Sequence, residues 1–477
     1  MESRDPESGK VHKMTKVIKM TTAPVEKLIL SLAFPSIAMM LISALYNMAD
    51  TYFVSSLGTS QVAAVGIAFP LMAIVQAIAF LFGQGSGAYV ARALGSGNNE
   101  GASRMIATGF VSGFIFMAIL AIAGLIGIKP LVRALGATET IMPHAVEYVL
   151  FILLASPWMV SAMIMNQMLR FQGSAMIAMV GMLTGAVLNI FLDPLFIFVL
   201  GMGVKGAAVA TMLSQIVSFL ILFLYGFTRK DITPIKFRHF SPSVSRYRDM
   251  VKGGLPPLLR QGLMSFATII TNHFAGAYGD AAIAAISIVN RICMFAFSAV
   301  LGFCQGFQPV CGFNYGAKLY SRVRKGFWFC IRVSVIALVA LAIIFAVFAP
   351  NIISFFRKDD LEVIAIGALG LRLRCISFPS LGIIVMCTMI TQSMGMALEG
   401  SITAASRNGL FLVPSLFILS PLLGLMGIQL SVPAADNTCL FIIVPILIKC
   451  LKKLSVPDGG GAGTVSSAVL PVSDSIE

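Results

Sequence analysis

Charged residues are scarce in this chain. Asp, Glu, Lys and Arg make up 11% of the 477 residues, whereas soluble domains average about 25%. The four histidines and eight cysteines form neither an HExxH nor a CxxC motif, and no Ser/His/Asp set falls within the apolar segments. These absences disfavour a soluble domain, a metalloenzyme and a redox enzyme, so no cofactor is expected.

Apolar residues are abundant instead, at 58% of the chain. A transmembrane helix needs about 20 consecutive apolar residues, and segments of that kind recur about twelve times. They cover residues 28–57, 62–91, 105–128, 140–168, 174–200, 204–228, 252–278, 282–311, 326–350, 361–390, 401–424 and 427–451. The pattern predicts an all-α polytopic membrane protein with twelve transmembrane helices. The first 27 residues are polar and basic, so a cleavable signal peptide is not expected.

The net charge of +14 is unevenly distributed along the chain. Most Lys and Arg residues outside the spans lie at one set of span ends, which includes both termini. The opposite loops hold only Lys129, Arg133, Lys205, Arg357 and Lys358. Since positive residues mark the cytoplasmic side, both termini are expected in the cytoplasm, with the protein in the plasma membrane. This sorting favours a lipid bilayer rather than nucleic acid as the basic surface's partner, and a monomer is the default.

The second half of the chain repeats the first at a nearly constant offset. A shift of 221 residues aligns Pro35 with Pro256, Gly85 with Gly306 and Gly95 with Gly316, and a shift of 222 aligns Gly173 with Gly395. Six spans per half is an even number, so both halves enter the bilayer in the same orientation. The repeat therefore predicts two six-helix lobes related by a pseudo-two-fold axis along the membrane normal.

Changes in composition divide the chain into five segments. Residues 1–27 form a cytoplasmic tail, 28–228 the N-lobe, 229–250 a polar cytoplasmic linker, 251–453 the C-lobe, and 454–477 a Gly- and Ser-containing tail that is expected to be disordered. Paired lobes with a site between them are the architecture of many transporters that work by alternating access.

Few carboxylates lie inside the predicted spans. Inserting one at the centre of a transmembrane helix costs ~2.5–3.5 kcal/mol, so such residues usually have a function. Asp50 and Asp193 each lie about seven residues before the outer end of a span, or roughly 10 Å below the surface. Asn189 shares a helical face with Asp193, and Asn47 shares one with Asp50. We predict an ion-coupling site in the N-lobe from residues that reach one depth: Asp50, Asn189, Asp193, Thr211 and Tyr148.

This set of oxygen ligands is compatible with three interpretations. Two acids in a low dielectric cannot both ionise easily, so one can carry a proton near neutral pH. Alternatively, both ionise and hold Na⁺ at Asp50 and Asp193, which is the only metal ion expected. The third interpretation is an interhelical hydrogen-bond network that only fixes packing.

Two further residues are candidates for function, Pro194 as a hinge and Asp436 in the second lobe. Pro194 directly follows Asp193, and proline disfavours helical geometry at the preceding residue, so a kink or break is expected there as a hinge. Asp436 lies in the last span. It is either a contact for a cationic substrate or gate, or a paired structural acid.

The motifs resemble those of the multidrug and toxic compound extrusion (MATE) family over nearly the whole chain. The segments that carry the resemblance are Asn47-Met-Ala-Asp50, Gln84-Gly85, Gln172-Gly173, Asn189-Ile-Phe-Leu-Asp193-Pro194, Gly206-Ala-Ala, and Pro256-Pro-Leu-Leu-Arg260-Gln261. The segment from Gln305 to Ala317 is similar to bacterial MepA-type members. The resemblance implies two lobes in a V shape around a central cavity, and the same N-lobe ion site.

It also implies export of amphipathic, often cationic drugs in exchange for H⁺ or Na⁺. Some members carry an acid in span seven, where this chain has Arg260 and Gln261, so coupling is expected in the N-lobe. Asn47, Asp436, Gln261 and Arg260 are candidate substrate or gate residues. The alternative function is a lipid-linked precursor flippase, for which Arg260 and Arg291 would supply the cationic cavity.

Overall fold

The computed structural model describes residues 17–55, 57, 59–228, 232–356 and 360–458, without the side chains of 46–52, 55, 59, 276 and 280. All regular elements of these residues are helices. The first half contains α1 (Val25–Ser55), α2 (Thr59–Gly95), α3 (Asn99–Ile126), α4 (Ile128–Ala134), α5 (Met142–Phe171), α6 (Ala175–Pro194) with a π-helical turn (Leu195–Val199), and α7 (Gly203–Thr228). The second half contains α8 (Val244–Gly276), α9 (Asp280–Gly316), α10 (Tyr320–Val347), α11 (Ala349–Phe356), α12 (Leu361–Cys375), α13 (Phe378–Ser393), α14 (Ala397–Ala405) with a π-helical turn (Ser406–Phe411), α15 (Leu412–Leu423), α16 (Leu425–Thr438) and α17 (Leu440–Lys453).

Most of these helices are long and apolar enough to cross a membrane. In the described residues ten spans meet that standard, and the pair α12 and α13, bent by 53°, is an eleventh candidate. Helix α8 is more polar, but its 33 residues reach about 50 Å, well beyond the roughly 30 Å of a bilayer core. With α8 as the seventh span, the predicted fold class of twelve helices in two lobes is confirmed.

The two halves join at one end of the bundle, which we call the terminus side because α1 begins there and α17 ends there. A single hydrophobic core on this side includes residues of both halves, such as Phe82, Phe307 and Phe327. Toward the other side the core divides. One cluster around Val149 and Ile152 belongs to the N-lobe, and another around Ala275 and Leu416 belongs to the C-lobe.

Glycines bring the backbones of the two halves into direct contact on the terminus side. A Cβ atom at Gly95 would lie 2.1 Å from the Phe313 carbonyl oxygen, and a Cβ atom at Gly316 would lie 2.1 Å from the Arg92 carbonyl oxygen. Gly95 and Gly316 are repeat partners, and so are Arg92 and Phe313 at the same offset. Each contact is therefore the symmetry mate of the other, and only glycine fits at either position.

The predicted linker and tail contain packed residues. In the linker, Ile232 and Ile235 are buried, and the Thr233 amide donates to Gln172 Oε1 at 2.7 Å, so this stretch packs against the N-lobe. At the start of the tail, Leu454 is buried and Asp458 accepts a hydrogen bond from the Ser321 amide. That bond, with a second from the Ser321 hydroxyl, lowers the pKa of Asp458. Residues 459–477 lie outside the described residues.

Candidate functional site

Three of the predicted ion-coupling residues meet where α6 packs against α7. Asn189 and Asp193 lie one turn apart on α6, and Asn189 Nδ2 donates to Asp193 Oδ1 at 3.2 Å. The same nitrogen lies 3.5 Å from Thr211 Oγ1 on α7. All three side chains are at most 2% exposed. The site thus gathers a carboxylate, an amide and a hydroxyl in a dry environment, where each polar group interacts strongly.

Tyr148 lies in the same lobe, in a different layer of packing. It is 1% exposed and belongs to the N-lobe cluster that also contains Ala207 and Ala208. These two alanines precede Thr211 by about one helical turn on α7. A place for Tyr148 at the ion-coupling site stays a prediction.

Asp50 and Asn47 lie on α1, but their side chains lie outside the described residues. Helix α1 packs against α6, the helix that carries Asn189 and Asp193. A shared pocket between Asp50 and Asp193 therefore stays a prediction.

The backbone changes geometry directly after Pro194. A kink or break was predicted here. The α-helix continues through Pro194 with φ −62° and ψ −32°, and the irregular geometry begins at the next residue. The next five residues form a π-helical turn, closed by the Leu200 amide donating to the Leu195 carbonyl at 2.9 Å. Because proline provides no N–H, a turn with shifted hydrogen bonds relieves the conflict while the span continues.

This wide turn packs closely on the start of α7. A Cβ atom at Gly206 would lie 2.7 Å from the Phe196 carbonyl carbon and oxygen. The absence of a side chain at Gly206 lets α7 approach the π-helical turn. Thr211 follows Gly206 by five residues on α7, about 7.5 Å farther along the helix axis.

In the C-lobe, Asp436 is a paired acid. Arg407 Nε donates to Asp436 Oδ1 at 2.6 Å, and a second guanidinium nitrogen lies 3.5 Å from Oδ2. The Asp436 side chain is 1% exposed and that of Arg407 is 17% exposed. This geometry agrees with the structural alternative for Asp436. Its role at a substrate or gate stays a prediction.

A cavity of about 280 Å³ lies beside this ion pair in the C-lobe. Its wall includes Arg291, Arg374 and Arg407 together with apolar side chains such as Phe297 and Met264. Arg291 was predicted as a cationic cavity residue, whereas Arg374 and Arg407 were not predicted to lie there. Their neighbours lie far away in the chain, so spacing gave no signal of a shared cavity.

Arg260 and Gln261 on α8 are both partly buried. The charge of Arg260 lies within electrostatic range of Arg170 in the N-lobe and of Arg407 in the C-lobe. Positive charge therefore continues from the C-lobe cavity toward the N-lobe. A substrate or gate role for Arg260 and Gln261 stays a prediction.

Arg170 lies in the last turn of α5 and is nevertheless 1% exposed. Its place on the cytoplasmic side, which the positive charges predict, stays a prediction. Arg170 donates to Gln167 Oε1 and stacks near the Phe171 ring, 5.3 Å from its centroid. The position of Arg170 near the end of a span therefore does not expose its charge to water.

Buried glutamines hydrogen-bond across the two halves on the terminus side. Gln392 Nε2 donates to Gln84 Oε1 at 2.7 Å and to the Gly253 carbonyl at 3.1 Å. Gln308 Nε2 donates to Gln392 Oε1 at 3.0 Å. All three side chains are at most 2% exposed. This network closes the terminus side, and it has to break if the lobes separate there.

The remaining chemistry of the described residues is limited. The eight cysteines are free and buried, and within those residues no group of three or more His, Cys, Asp or Glu side chains is placed to hold a metal ion. The polar triad of the N-lobe and the arginine-lined cavity of the C-lobe are thus the two candidate sites.

Sequence comparisons find relatives over almost the whole chain. A family model described as MatE matches residues 35–195 and 256–418, one segment in each half. The multidrug export protein MepA of Staphylococcus aureus is 27% identical over 437 residues, which cover 91% of this chain and 96% of that protein. The protein of the same name from Staphylococcus saprophyticus is 27% identical over 420 residues, covering 87% and 92%.

Solved structures match to a similar extent. One, described as the outward-facing conformation of a multidrug resistance MATE family transporter of the MOP superfamily, superposes with a TM-score of 0.86 at 28% identity. A MOP superfamily transporter from Pyrococcus furiosus, for which reverse polarity of the binding pocket is said to suggest a different function, gives a TM-score of 0.85 at 28% identity. Each match covers 92% of this chain and 98% of the other.

Proposed function

This chain belongs to the MatE family of transporters, and we propose that it exports amphipathic, often cationic drugs in exchange for H⁺ or Na⁺. The family assignment made from the sequence motifs is confirmed, and the chain is a transporter rather than an enzyme. Support for drug export comes from the relatives described as multidrug export proteins. The coupling ion and the substrate class belong to the proposal.

The observation that carries the coupling proposal is the buried polar triad. Asp193 is 0% exposed and accepts from Asn189, which also reaches Thr211. A carboxylate with a neighbouring amide and hydroxyl is a suitable receptor for a proton or for Na⁺, both of which favour oxygen ligands. Loading this site neutralises charge in a low dielectric, which changes the relative stability of the two conformations.

The closed terminus side gives the direction of the cycle. If both termini are cytoplasmic, as the positive charges predict, the glycine contacts and the glutamine network seal the cytoplasmic side and the protein is outward-facing. Ions then enter from outside, and their binding favours closure of the outer side and opening of the inner one. Drug binds from inside and is released outside when the cycle returns.

The π-helical turn after Pro194 is the proposed moving part. Because Asn189 and Asp193 are buried in this conformation, an ion reaches them only if the local structure opens. The turn ends at Val199, which is 75% exposed, and begins next to Asp193. A change in its hydrogen bonds would open a path to the carboxylate without unfolding α6.

Transport of ethidium into inside-out vesicles tests this proposal, with proton and Na⁺ gradients imposed separately. Uptake is expected under at least one gradient and not without a gradient, and the effective gradient identifies the ion. Asp50→Asn should abolish this uptake, whereas Asp458→Asn, outside the spans, should leave it unchanged. Ethidium uptake at the parental rate by Asp50→Asn would show that the coupling assignment is wrong.

A second candidate function, a lipid-linked precursor flippase, is favoured by the arginine-lined cavity of the C-lobe. Arg291, Arg374 and Arg407 supply the kind of positive charge that binds pyrophosphate groups. A flippase would move a fluorescent lipid-linked pyrophosphate between leaflets without exporting ethidium, so the two assays separate the candidates.

A further inference from the structure

Three arginines and one carboxylate line the C-lobe cavity, and the single carboxylate is already engaged. Both oxygens of Asp436 face the Arg407 guanidinium. In the part of the chain that the structure describes, no carboxylate lies within 4 Å of the Arg291 or Arg374 nitrogens. Arg374 has the Cys293 thiol as a polar neighbour, which is a weak partner for a cation, and the nearby Asp436 carboxylate is engaged by Arg407. The cavity therefore carries an excess of positive charge.

Backbone geometry directs Arg374 toward this cavity. Helices α12 and α13 form one span that bends by 53° at residues 376–377. Arg374 lies just before the bend and Ser377 lies within it, and both line the cavity. Irregular backbone at membrane depth is tolerated where it lines a cavity, and charged side chains there mark ligand pathways.

The rest of the wall is apolar and aromatic. Met264, Met294, Phe297 and Leu381 contribute side chains that suit a flat hydrophobic ring. The volume of about 280 Å³ is near the lower end of ligand cavities, which span roughly 300–1,000 Å³. A space of this size accepts one end of a drug-sized molecule rather than the whole.

We propose that this C-lobe cavity binds the carboxylate-bearing end of zwitterionic or anionic amphipathic substrates, with Arg374 and Arg291 as the recognition residues. The inference rests on the proposed export function and adds a substrate class to it. Arginine binds carboxylate through paired, charge-assisted hydrogen bonds. The carboxylate of a substrate would thus replace the counter-ion that Arg374 lacks, while its ring packs on Phe297 and the methionines.

The two lobes then have opposite polarity. The N-lobe site presents Asp193 and two neutral polar groups, whereas the C-lobe cavity presents net positive charge. A purely cationic drug is repelled by Arg374, and a zwitterion is attracted to it. The protein should therefore prefer a dye with a free carboxylate over the ester of the same dye.

Rhodamine B and its ethyl ester provide that comparison, because they share one ring system and differ in the carboxylate. Binding is measured by fluorescence anisotropy on the full-length protein in nanodiscs of phosphatidylcholine. Arg374→Gln should weaken rhodamine B binding about tenfold or more, the loss expected for a charged hydrogen bond. It should not weaken binding of the ester, whose affinity is retained or rises because a repelling charge is removed. Arg372→Gln is the matched control, since Arg372 is exposed and donates to the Ala346 carbonyl instead.

Retained ester binding shows that Arg374→Gln is folded. Equal weakening of both dyes, or no weakening of either, would overturn the inference. An anionic lipid in the cavity is tested by repeating the measurement in phosphatidylglycerol nanodiscs. If wild-type rhodamine B binding falls there and this difference disappears in Arg374→Gln, the cavity is a lipid site and the inference is also overturned.

Transport separates this inference from the proposed function. A wild-type protein that exports neither dye would contradict drug export itself. A wild-type protein that exports the ester, together with an Arg374→Gln variant that handles both dyes like the wild type, would contradict only the carboxylate site.

Discussion

Thr211 contributes one neutral hydroxyl to the N-lobe triad, 3.5 Å from Asn189 Nδ2. Thr211→Val keeps the shape and removes the oxygen. Since a neutral hydrogen bond is worth ~0.5–1.5 kcal/mol, affinity for the coupling ion should fall about two- to tenfold. The ion concentration that half-saturates drug transport measures this change.

Thr184→Val is the control for that substitution. Thr184 lies on α6, is partly buried, and donates to the Val180 carbonyl of its own helix. It should not alter the ion dependence. An unchanged half-saturating concentration in Thr211→Val would remove Thr211 from the site.

The Arg407–Asp436 pair supports a prediction about stability. Removing one partner of a buried ion pair leaves an uncompensated charge and typically costs about 3–5 kcal/mol. Asp436→Asn should therefore lower the melting temperature in detergent markedly, and adding Arg407→Gln should restore much of the loss. Glu139→Gln, which breaks the exposed pair with Arg133, should change little. Equal melting temperatures for wild type and Asp436→Asn would show that the pair is not structural.

At the scale of elements, the π-helical turn after Pro194 is the feature with a predicted dynamic role. Pro194→Ala restores a backbone donor and lets α6 continue as a regular helix. The turnover rate of drug transport should fall while drug affinity is retained. Pro421→Ala, at an exposed position in α15, should leave the rate unchanged. A normal rate in Pro194→Ala would assign the π-helical turn to packing alone.

Individual elements also show what sequence can and cannot predict here. Local or periodic patterns in the sequence predict the apolar spans, the repeat offset and the shared helical face of Asn189 and Asp193. The pairing of Arg407 with Asp436 joins α16 to the π-helical turn after α14. It depends on how two spans pack, which no local pattern encodes. The burial of Arg170 is likewise not encoded by its position near the end of an apolar span.

For the whole molecule, the reciprocal glycine contacts are the basis of the closed terminus side. The predicted repeat already paired Gly95 with Gly316, and the structure shows why both are glycine. A methyl group at Gly316 would meet the Arg92 carbonyl at 2.1 Å. Gly316→Ala should therefore favour the conformation in which this side is open.

Spin labels at the exposed residues Asn99 and Arg324 report the separation of the lobes on the terminus side. Pulsed electron resonance should show longer distances in Gly316→Ala than in the wild type. Gly66→Ala is the control, since a Cβ atom at Gly66 has no neighbour within 4 Å. The same short distance in all three proteins would contradict the assignment of these glycines to closure.

The proposed mechanism depends on a carboxylate buried in the N-lobe, which binds the small cation that the protein exchanges for drug. An outward drug gradient across proteoliposomes should drive H⁺ or Na⁺ in the opposite direction, detected by a fluorescent indicator of that ion. Asp193→Asn should abolish this ion movement while drug binding to the purified protein is retained. Ion movement at the wild-type rate in Asp193→Asn would contradict the account.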